Sequence, residues 1–418
     1  MATARRRGTS VAALMRTRLL VLTFDPLTDA MAGPAIRAWH LAQVLASRHT
    51  VTLASTVGAS RHHEAMRVCS VAGDSLGLTT LVQESDVVFA PTSVVRRHPE
   101  VASSAVPLAI DMYIPTHLEN LERGGRGDDD YAQAVAHQVA VINEDLARGD
   151  FFLCASERQR DFWLGALSHA GRVNPTTYAD DPTMRRLVDV VPFGLPPDPP
   201  RPAGPVLRRH FPAIGASDPV VVWGGGVYDW FDPVSLVRAV DRVRRTIPDV
   251  RLVFLGMTNP NPAVAEMARA VELRRVSDEL ALSGSTVFFN DRWVPYRDWG
   301  SYLLDADVAV SIHLDNLETR FSFRTRILDY LWARRPMILT GGDALGDLVA
   351  ARGLGITVAP GDVGGIADAL TRLLTDGLPQ ADFGPTLDQF QWPAVAQPLV
   401  GWLEHAHRAP DVAVLDLE

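Results

Sequence analysis

Several features that mark known functional classes are scarce or missing in this sequence. Its 418 residues include only two cysteines, Cys69 and Cys154, which stand far apart. This excludes a disulfide framework and a cysteine-built zinc site, and it fits a reducing cytoplasm. The net charge of -9 argues against a general nucleic-acid binder, because binding to a phosphate backbone needs a basic surface.

Long apolar runs are also missing, and none reaches the roughly 18–20 residues of a membrane-spanning helix. The basic N-terminus has an apolar core, Val11–Met15, that is too short for a secretory signal. We therefore expect residues 1–17 to form a disordered tail, whose arginines could make a weak peripheral contact with an anionic membrane. The predicted location is the cytoplasm, with at most such a contact at the inner face of the membrane.

Composition and length predict a folded protein with two domains. The chain is 47% apolar and 21% charged, and it is too long for one ordinary core. Short apolar runs alternate with helical patterns in both halves, beginning with a strand at Arg18–Phe24 and a helix at Ile36–Ser47. This alternation is typical of α/β folds with parallel sheets.

The segment Val191–Pro205, between the two halves, is rich in proline and glycine and therefore cannot form a helix or a central strand. We therefore place the boundaries as follows: tail 1–17, first domain 18–195, hinge 196–205, second domain 206–385, and a C-terminal helix within 386–418 that packs back across the domains.

The stretch from Ser311 to Thr340 carries the clearest site pattern. An apolar strand leads into a polar loop, then into a helix and a second strand, and in such sheets the loop after a strand is the usual ligand site. Arg324 and Arg326 at the start of the helix suit a diphosphate, which a helix N-terminus also attracts. Asp329, about one turn further on, could accept hydrogen bonds from ribose. The stretch predicts a nucleotide-sugar site.

Together these features resemble the GT-B glycosyltransferases and, more narrowly, the retaining family-4 enzymes. Four segments carry the resemblance: the loop with Gly33 and Arg37 before LAQVLASRHTVTL, then VVPFGLPP, VVWGGGVYDW and LDYLWARRPMIL. They stand in the family's order over nearly the whole chain. The resemblance implies the GT-B fold, with two doubly wound, Rossmann-like α/β domains, a cleft between them and a C-terminal helix.

The resemblance also implies a donor site in the second domain. Gly224, Gly225 and Gly226 could bring backbone amides close to the donor. Asp329 stands at the glutamate that usually bonds to ribose. The family's first acid, expected eight residues earlier, is displaced, and Glu318 is the nearest candidate.

The arginine and lysine that commonly hold the phosphates in this family are missing here. A departing diphosphate develops negative charge, which fixed cations stabilise. We therefore expect Arg324 and Arg326 to supply that charge, with Arg320 as a further option. Arg326 aligns with a lysine of the family and is predicted to be catalytic.

Acceptor contacts are expected at the strand ends of the first domain. Asp111 and His117 follow an apolar strand, and either could contact an acceptor hydroxyl or act as a general base. A strand-end aspartate that merely caps the next turn is the competing interpretation. The full predicted acceptor set is Gly33, Arg37, Asp111, Tyr113, His117 and Glu157.

The predicted function is transfer of a sugar from a nucleotide diphosphate sugar to an acceptor hydroxyl with retention of configuration. The acceptor would be a sugar, a lipid-linked glycan or a small natural product. No cofactor or metal is expected, because no convincing Asp-x-Asp motif is present, and Gly-x-Gly-x-x-Gly of dinucleotide enzymes is absent after the first strand. A cyclitol-coupling pseudo-glycosyltransferase and a binding-only GT-B protein remain open, as do the sugar, the base and the oligomeric state.

Overall fold

The computed structural model describes residues 16–122, 129–262, 264–378 and 381–412. Most of the predicted N-terminal tail and the last six residues lie outside these ranges. Each half of the described chain contains a parallel sheet with helices on its faces, so the predicted α/β architecture with two doubly wound sheets is confirmed. None of the described helices combines the length and apolar character needed to cross a membrane.

The first sheet has the strand order β3-β2-β1-β4-β5-β6-β7. Its central strands are buried because Val, Leu, Ile and Phe fill them, as expected for a parallel sheet covered on both faces, whereas the edge strand β3 is partly exposed. They are β1 Arg18–Thr23, β2 Thr50–Ser55, β3 Arg67–Ser70, β4 Val87–Pro91, β5 Leu108–Asp111, β6 Phe151–Cys154 and β7 Val188–Val190.

The second sheet has the order β10-β9-β8-β11-β12-β13. Its strands are β8 Val220–Gly226, β9 Arg251–Gly256, β10 Val287–Phe289, β11 Val308–Ser311, β12 Met337–Thr340 and β13 Ile356–Val358.

The helices of the first half connect its strands across both faces of the sheet. They are α1 Gly33–Ala46, α2 Ser75–Gln83, α3 Val94–Arg97, α4 Pro99–Ala102, α5 Thr116–Glu122, α6 Asp129–Arg148, α7 Glu157–His169 and α8 Pro175–Asp180. Ser156 caps α7 by accepting a hydrogen bond from the backbone N–H of Gln159.

The helices of the second half follow the same plan. They are α9 Val206–His210, α10 Pro233–Val243, α11 Ala268–Glu279, α12 Trp299–Leu304 (preceded by a 3₁₀ turn at Tyr296–Asp298), α13 Leu317–Phe321, α14 Thr325–Trp332, α15 Ala344–Arg352, α16 Val363–Thr375, α17 Gly384–Gln389, α18 Trp392–Val395 and α19 Gln397–Leu403.

Two expectations about these elements are wrong. The polar loop expected after β11 contains the short helix α13, which begins at its cap Asn316. The single C-terminal helix is three short helices, because Pro385, Pro393 and Pro398 each lack a backbone N–H and stand in the first turn of a new helix.

The C-terminal segment lies against the first domain. Trp402 stacks on Phe151 with 5.1 Å between ring centroids. Near the end of the described chain, Asp411 accepts a hydrogen bond of 2.7 Å from the buried guanidinium of Arg172. The described part of the chain thus begins and ends on the first domain, and the second domain lies between these two segments in the sequence.

Candidate active site in the crevice between the domains

The strand orders fix where ligands should bind in both domains. In the first sheet the connections reverse direction between β1 and β4, and in the second between β8 and β11. Open α/β sheets bind ligands in the crevice that forms at the carboxyl ends of two such strands. The residues after β1, β4, β8 and β11 therefore border the two crevices.

The glycines 224–226 form the last residues of β8. Gly225 has φ +80°, a conformation that favours glycine because it has no Cβ. The register between β8 and β9 shifts between Trp223 and Gly226, so the strand end is irregular. Gly224 donates its N–H to the hydroxyl of Tyr330 at 2.9 Å. That bond ties the glycine segment to α14, the helix that carries the predicted donor residues.

Arg326 lies in the first turn of α14 and points toward the end of β8. Its Nη2 donates to the carbonyl of Gly226 at 2.7 Å, and its guanidinium lies 4.0 Å from the ring centroid of Phe231 and 4.9 Å from that of Trp223. Its Nη1 is buried and has no hydrogen-bond partner among the described residues. Burial lowers the pKa of Arg326 to about 10, so the side chain remains a cation at neutral pH.

Asp329 lies one turn after Arg326 and is partly buried. Burial raises the pKa of its carboxyl group to about 7, against the opposing effects of a hydrogen bond from Trp299 and the charge of Arg326. The carboxyl group therefore titrates near neutral pH. It is placed to accept hydrogen bonds from a ligand next to Arg326.

These groups line a cavity of about 120 Å³ between the domains, with walls from Arg326, Asp329 and glycines 225 and 226 on the second domain and Gly33 on the first. A second cavity of about 240 Å³ lies at the ends of β8 and β9. Gly226, Tyr228 and Trp293 line both cavities. The two cavities are thus neighbours that could hold two parts of one extended ligand.

Arg324 and Glu318 do not enter these cavities. The Arg324 guanidinium donates to both carboxylate oxygens of Glu318, with Nη1 at 2.9 Å from Oε1, and the two side chains are 5% and 1% exposed. A carboxylate held in this way has little capacity left for ribose. The structure therefore does not support the donor contacts expected for Glu318 and Arg324.

Arg320 is exposed and lies over the ring of Phe321. It lines a separate surface cavity with Arg158 of the first domain. Arg158 donates to the carbonyl of Gly342 at 2.7 Å and to Asp347 at 2.9 Å. The donor role expected for Arg320 is not supported by this position, because it lies outside the cavity that contains Arg326 and Asp329.

In the first domain, Arg37 and Asp111 form a buried ion pair. Both carboxylate oxygens of Asp111 accept from Arg37, which also donates to the carbonyls of Val191 and Pro192 at 2.8 Å. A general base needs a free oxygen, so the catalytic role expected for Asp111 is not supported. The pair instead fixes α1, β5 and the residues directly after β7 to one another.

Gly33 and Tyr113 lie at the cleft, whereas His117 and Glu157 do not line the cavities described. The hydroxyl of Tyr113 is 3.6 Å from the point where a Cβ on Gly33 would lie. The His117 ring stacks on Phe162 at 5.7 Å, and burial lowers its pKa. Glu157 is exposed and pairs with Arg185 at 2.8 Å. The expected acceptor and catalytic roles of His117 and Glu157 are therefore not supported.

Sequence reasoning missed several side chains that the fold brings to the cleft. Trp299 bonds to Asp329, and Tyr296 shares a 2.8 Å hydrogen bond with His40 of the first domain. Asp25, in the loop after β1, accepts a 2.8 Å hydrogen bond from Asn261 of the second domain. The sequence signal for Asp25 is its position directly after the first strand, because a carboxylate at that strand end faces the crevice.

Further contacts join the domains around the cleft. Trp293 donates to the carbonyl of Met31 at 3.0 Å, and Gln159 donates to the carbonyl of Phe321 at 2.7 Å. The two crevices thus face each other at contact distance. Within the described ranges, no group of three or more His, Cys, Asp or Glu side chains has a geometry that could hold a metal ion.

Comparison with known proteins agrees with this architecture. Residues 218–376 match the family model described as "Glycosyl transferases group 1". Comparison with curated protein sequences gives no match.

Solved structures of similar fold cover almost the whole chain. HepE of Anabaena in complex with UDP-glucose superposes with a TM-score of 0.66 at 14% identity, covering 93% of this chain and 100% of that one. Sucrose-phosphate synthase from Thermosynechococcus elongatus gives a TM-score of 0.65 at 14% identity, covering 93% of this chain and 98% of that one. WaaG, a glycosyltransferase involved in lipopolysaccharide biosynthesis, gives a TM-score of 0.58 at 14% identity, covering 94% of this chain and 98% of that one. At such low identity these likenesses show the fold alone.

Proposed function

We propose that this protein, a glycosyltransferase of the GT-B fold whose second domain matches the group 1 family, transfers a sugar from a uridine diphosphate sugar to an acceptor hydroxyl with retention of configuration. The structure of HepE was solved with UDP-glucose, and that likeness supports the choice of nucleotide. Retention rests on the family-4 resemblance of LDYLWARRPMIL. The product would belong to a cell-surface glycan or a glycosylated natural product.

The unpartnered Nη1 of Arg326 is the observation that carries this proposal. A buried guanidinium nitrogen without a partner is costly unless a ligand supplies one. Arg326 is held by Gly226 and two aromatic rings, so it is fixed before the ligand arrives. A diphosphate oxygen is the partner that matches its charge and fork geometry.

The remaining parts of the donor have matching partners nearby. Asp329 would accept hydrogen bonds from ribose hydroxyls, because it lines the same cavity as Arg326. The irregular end of β8 would bring backbone amides of the glycines close to the diphosphate. The nucleobase would lie in the adjoining cavity, where Tyr228 and Trp293 offer aromatic faces.

In the reaction, the acceptor oxygen forms a bond to the anomeric carbon of the sugar. The bond between that carbon and the β-phosphate oxygen breaks, its electron pair stays on the departing diphosphate, and the hydroxyl proton is released. Arg326 stabilises the charge that develops on the diphosphate. Contact between the two domains keeps water from the anomeric carbon.

A test combines a donor panel with a substitution at Arg326. Wild-type protein is incubated with uridine, guanosine and thymidine diphosphate sugars and a set of hydroxyl acceptors, and product is detected by mass. We expect Arg326→Ala to reduce kcat about 100- to 1000-fold, which is the usual effect of removing one group that stabilises an oxyanion. Arg238 is an exposed arginine on α10 with no charged partner among the described residues, so Arg238→Ala serves as the matched control.

Two results would contradict the proposal. If Arg326→Ala turned over a donor as fast as Arg238→Ala, the diphosphate role would be wrong. If a nucleotide sugar bound but no donor were turned over with any acceptor, a binding-only protein would explain the missing family cations better. Proton NMR of the anomeric signal in the product decides between retention and inversion.

A further inference from the structure

A crevice in the first domain has the features of a built site that the donor does not use. It lies at the carboxyl ends of β1 and β4, where the strand connections reverse, and encloses about 210 Å³. Phe24, Phe89 and Tyr113 supply aromatic walls, while Asp25, Thr92 and Ser93 supply polar groups. A mixture of aromatic faces and hydrogen-bonding groups suits a polyhydroxylated ring.

Asp25 is the carboxylate of this crevice that remains available to a ligand. Its Oδ1 accepts from Asn261 of the second domain at 2.8 Å, and among the described residues no donor reaches Oδ2. Asp111 lines the same crevice but is neutralised by Arg37. Arg97 is exposed at the rim. Asp25 is partly buried, and burial raises its pKa against the opposing effects of the hydrogen bond from Asn261 and the charge of Arg97.

The backbone after β4, which also lines the crevice, is held in a strained conformation. Ser93 has φ +76°, which is rare for a residue with a side chain. The fully buried carboxylate of Asp145 on α6 accepts hydrogen bonds from the backbone N–H groups of Ser93 and Val95. Strain that the surrounding structure enforces in this way occurs preferentially at ligand sites. It is an observation independent of Asp25.

We propose that this crevice binds one polyhydroxylated ring of the acceptor, and that Oδ2 of Asp25 accepts a hydrogen bond from a ring hydroxyl and so positions the acceptor. This inference rests on the proposed glycosyl transfer. A volume of about 210 Å³ is below the roughly 300–1000 Å³ of sites for larger ligands, so a single ring fits and an oligosaccharide does not. Because Asn261 holds the other oxygen, Asp25 is oriented only while the domains are in contact.

The test measures UDP release from UDP-glucose in the presence of glucose, mannose, N-acetylglucosamine, myo-inositol or maltotriose. We expect one of the single-ring compounds to accelerate release by wild-type protein. Asp25→Asn should then raise the KM for that compound about 10- to 100-fold, the usual effect of losing a hydrogen bond to a charged group. Calorimetric titration with UDP should give the same Kd for the variant and wild type, which also shows that the variant is folded.

Asp29 provides the matched control, because it lies in the same loop, is exposed, and is 3.8 Å from Arg297 of the second domain. Asp29→Asn should leave the KM of the ring compound unchanged. An unchanged KM in Asp25→Asn, or acceleration by maltotriose alone, would overturn the inference while leaving the donor site intact. Failure of wild-type protein to bind UDP at all would instead count against the proposed function, and the crevice would lose its acceptor role with it.

Discussion

Replacing Asp329 with asparagine should stabilise the free protein while it weakens donor binding. The pKa of this carboxyl is about 7, raised chiefly by burial. The folded protein therefore holds the proton more tightly than the unfolded chain, whose aspartates titrate near pH 4. The contribution of this proton to the free energy of unfolding is complete below about pH 4 and is lost as the pH rises through 7.

The size of the effect follows from that shift. Three pH units at about 1.4 kcal/mol each give an upper limit of ~4 kcal/mol for the cost of ionising Asp329 in the folded protein. Because the side chain is only partly buried, we expect a gain of ~2 kcal/mol for Asp329→Asn at pH 8, and a smaller gain at pH 5. Asparagine carries no charge, so it avoids this cost.

Donor binding should change in the opposite direction. Ribose hydroxyls donate to an ionised carboxylate more strongly than to an amide, so UDP affinity should fall about 10-fold or more in Asp329→Asn. In wild-type protein, UDP affinity should also decline as the pH falls below 7, because the carboxylate becomes protonated. This pH dependence should disappear in the variant.

Urea unfolding at pH 5 and pH 8 and calorimetric titration with UDP measure both effects. Asp368 is an exposed aspartate on α16 of the same domain, so Asp368→Asn should alter neither quantity. Two results would refute the reasoning. One is a variant that is less stable than wild type at pH 8, and the other is a variant that binds UDP as tightly as wild type.

Two further predictions concern the same half of the cleft. Gly225→Ala should lower stability by ~1 kcal/mol or more and weaken UDP binding, since φ +80° is strained for alanine. Urea unfolding measures the first effect and calorimetric titration with UDP the second. Wild-type values for both would contradict the prediction. Glu318→Gln should lower stability by ~3 kcal/mol, because it leaves the buried charge of Arg324 uncompensated. Adding Arg324→Met should restore much of that loss, and a double variant no more stable than the single one would show that the pair is not the cause.

The fold was predictable because its signals are local and repeated. Short apolar runs, helical patterns and a proline-rich break give two parallel sheets without knowledge of any contact. The positions of Arg326 and Asp329 were also predictable, because a strand end followed by a helix places both residues beside the crevice. In each case one short segment contains all the information needed.

Pairings between distant segments were not predictable in the same way. Arg37 and Asp111 are 74 residues apart, and Asp25 and Asn261 are 236 apart and on different domains. Nothing in either segment alone indicates its partner. Asp111 has the same local sequence whether it is a free base or half of an ion pair, so the burial of Arg37 against it decides the role.

The missing family cations also have a simpler replacement than two arginines acting together. The guanidiniums of Arg324 and Arg326 lie 4.7 Å and 4.0 Å from the centroid of the same ring, Phe231. Two uncompensated cations this close, in a buried setting, would repel each other strongly. Glu318 neutralises Arg324, and that pairing allows Arg326 to keep its charge and a buried nitrogen without a partner among the described residues. Glu318, the displaced acid, therefore favours the charged form of Arg326 by removing the repulsion from Arg324. The charge that would stabilise a departing diphosphate is concentrated on Arg326.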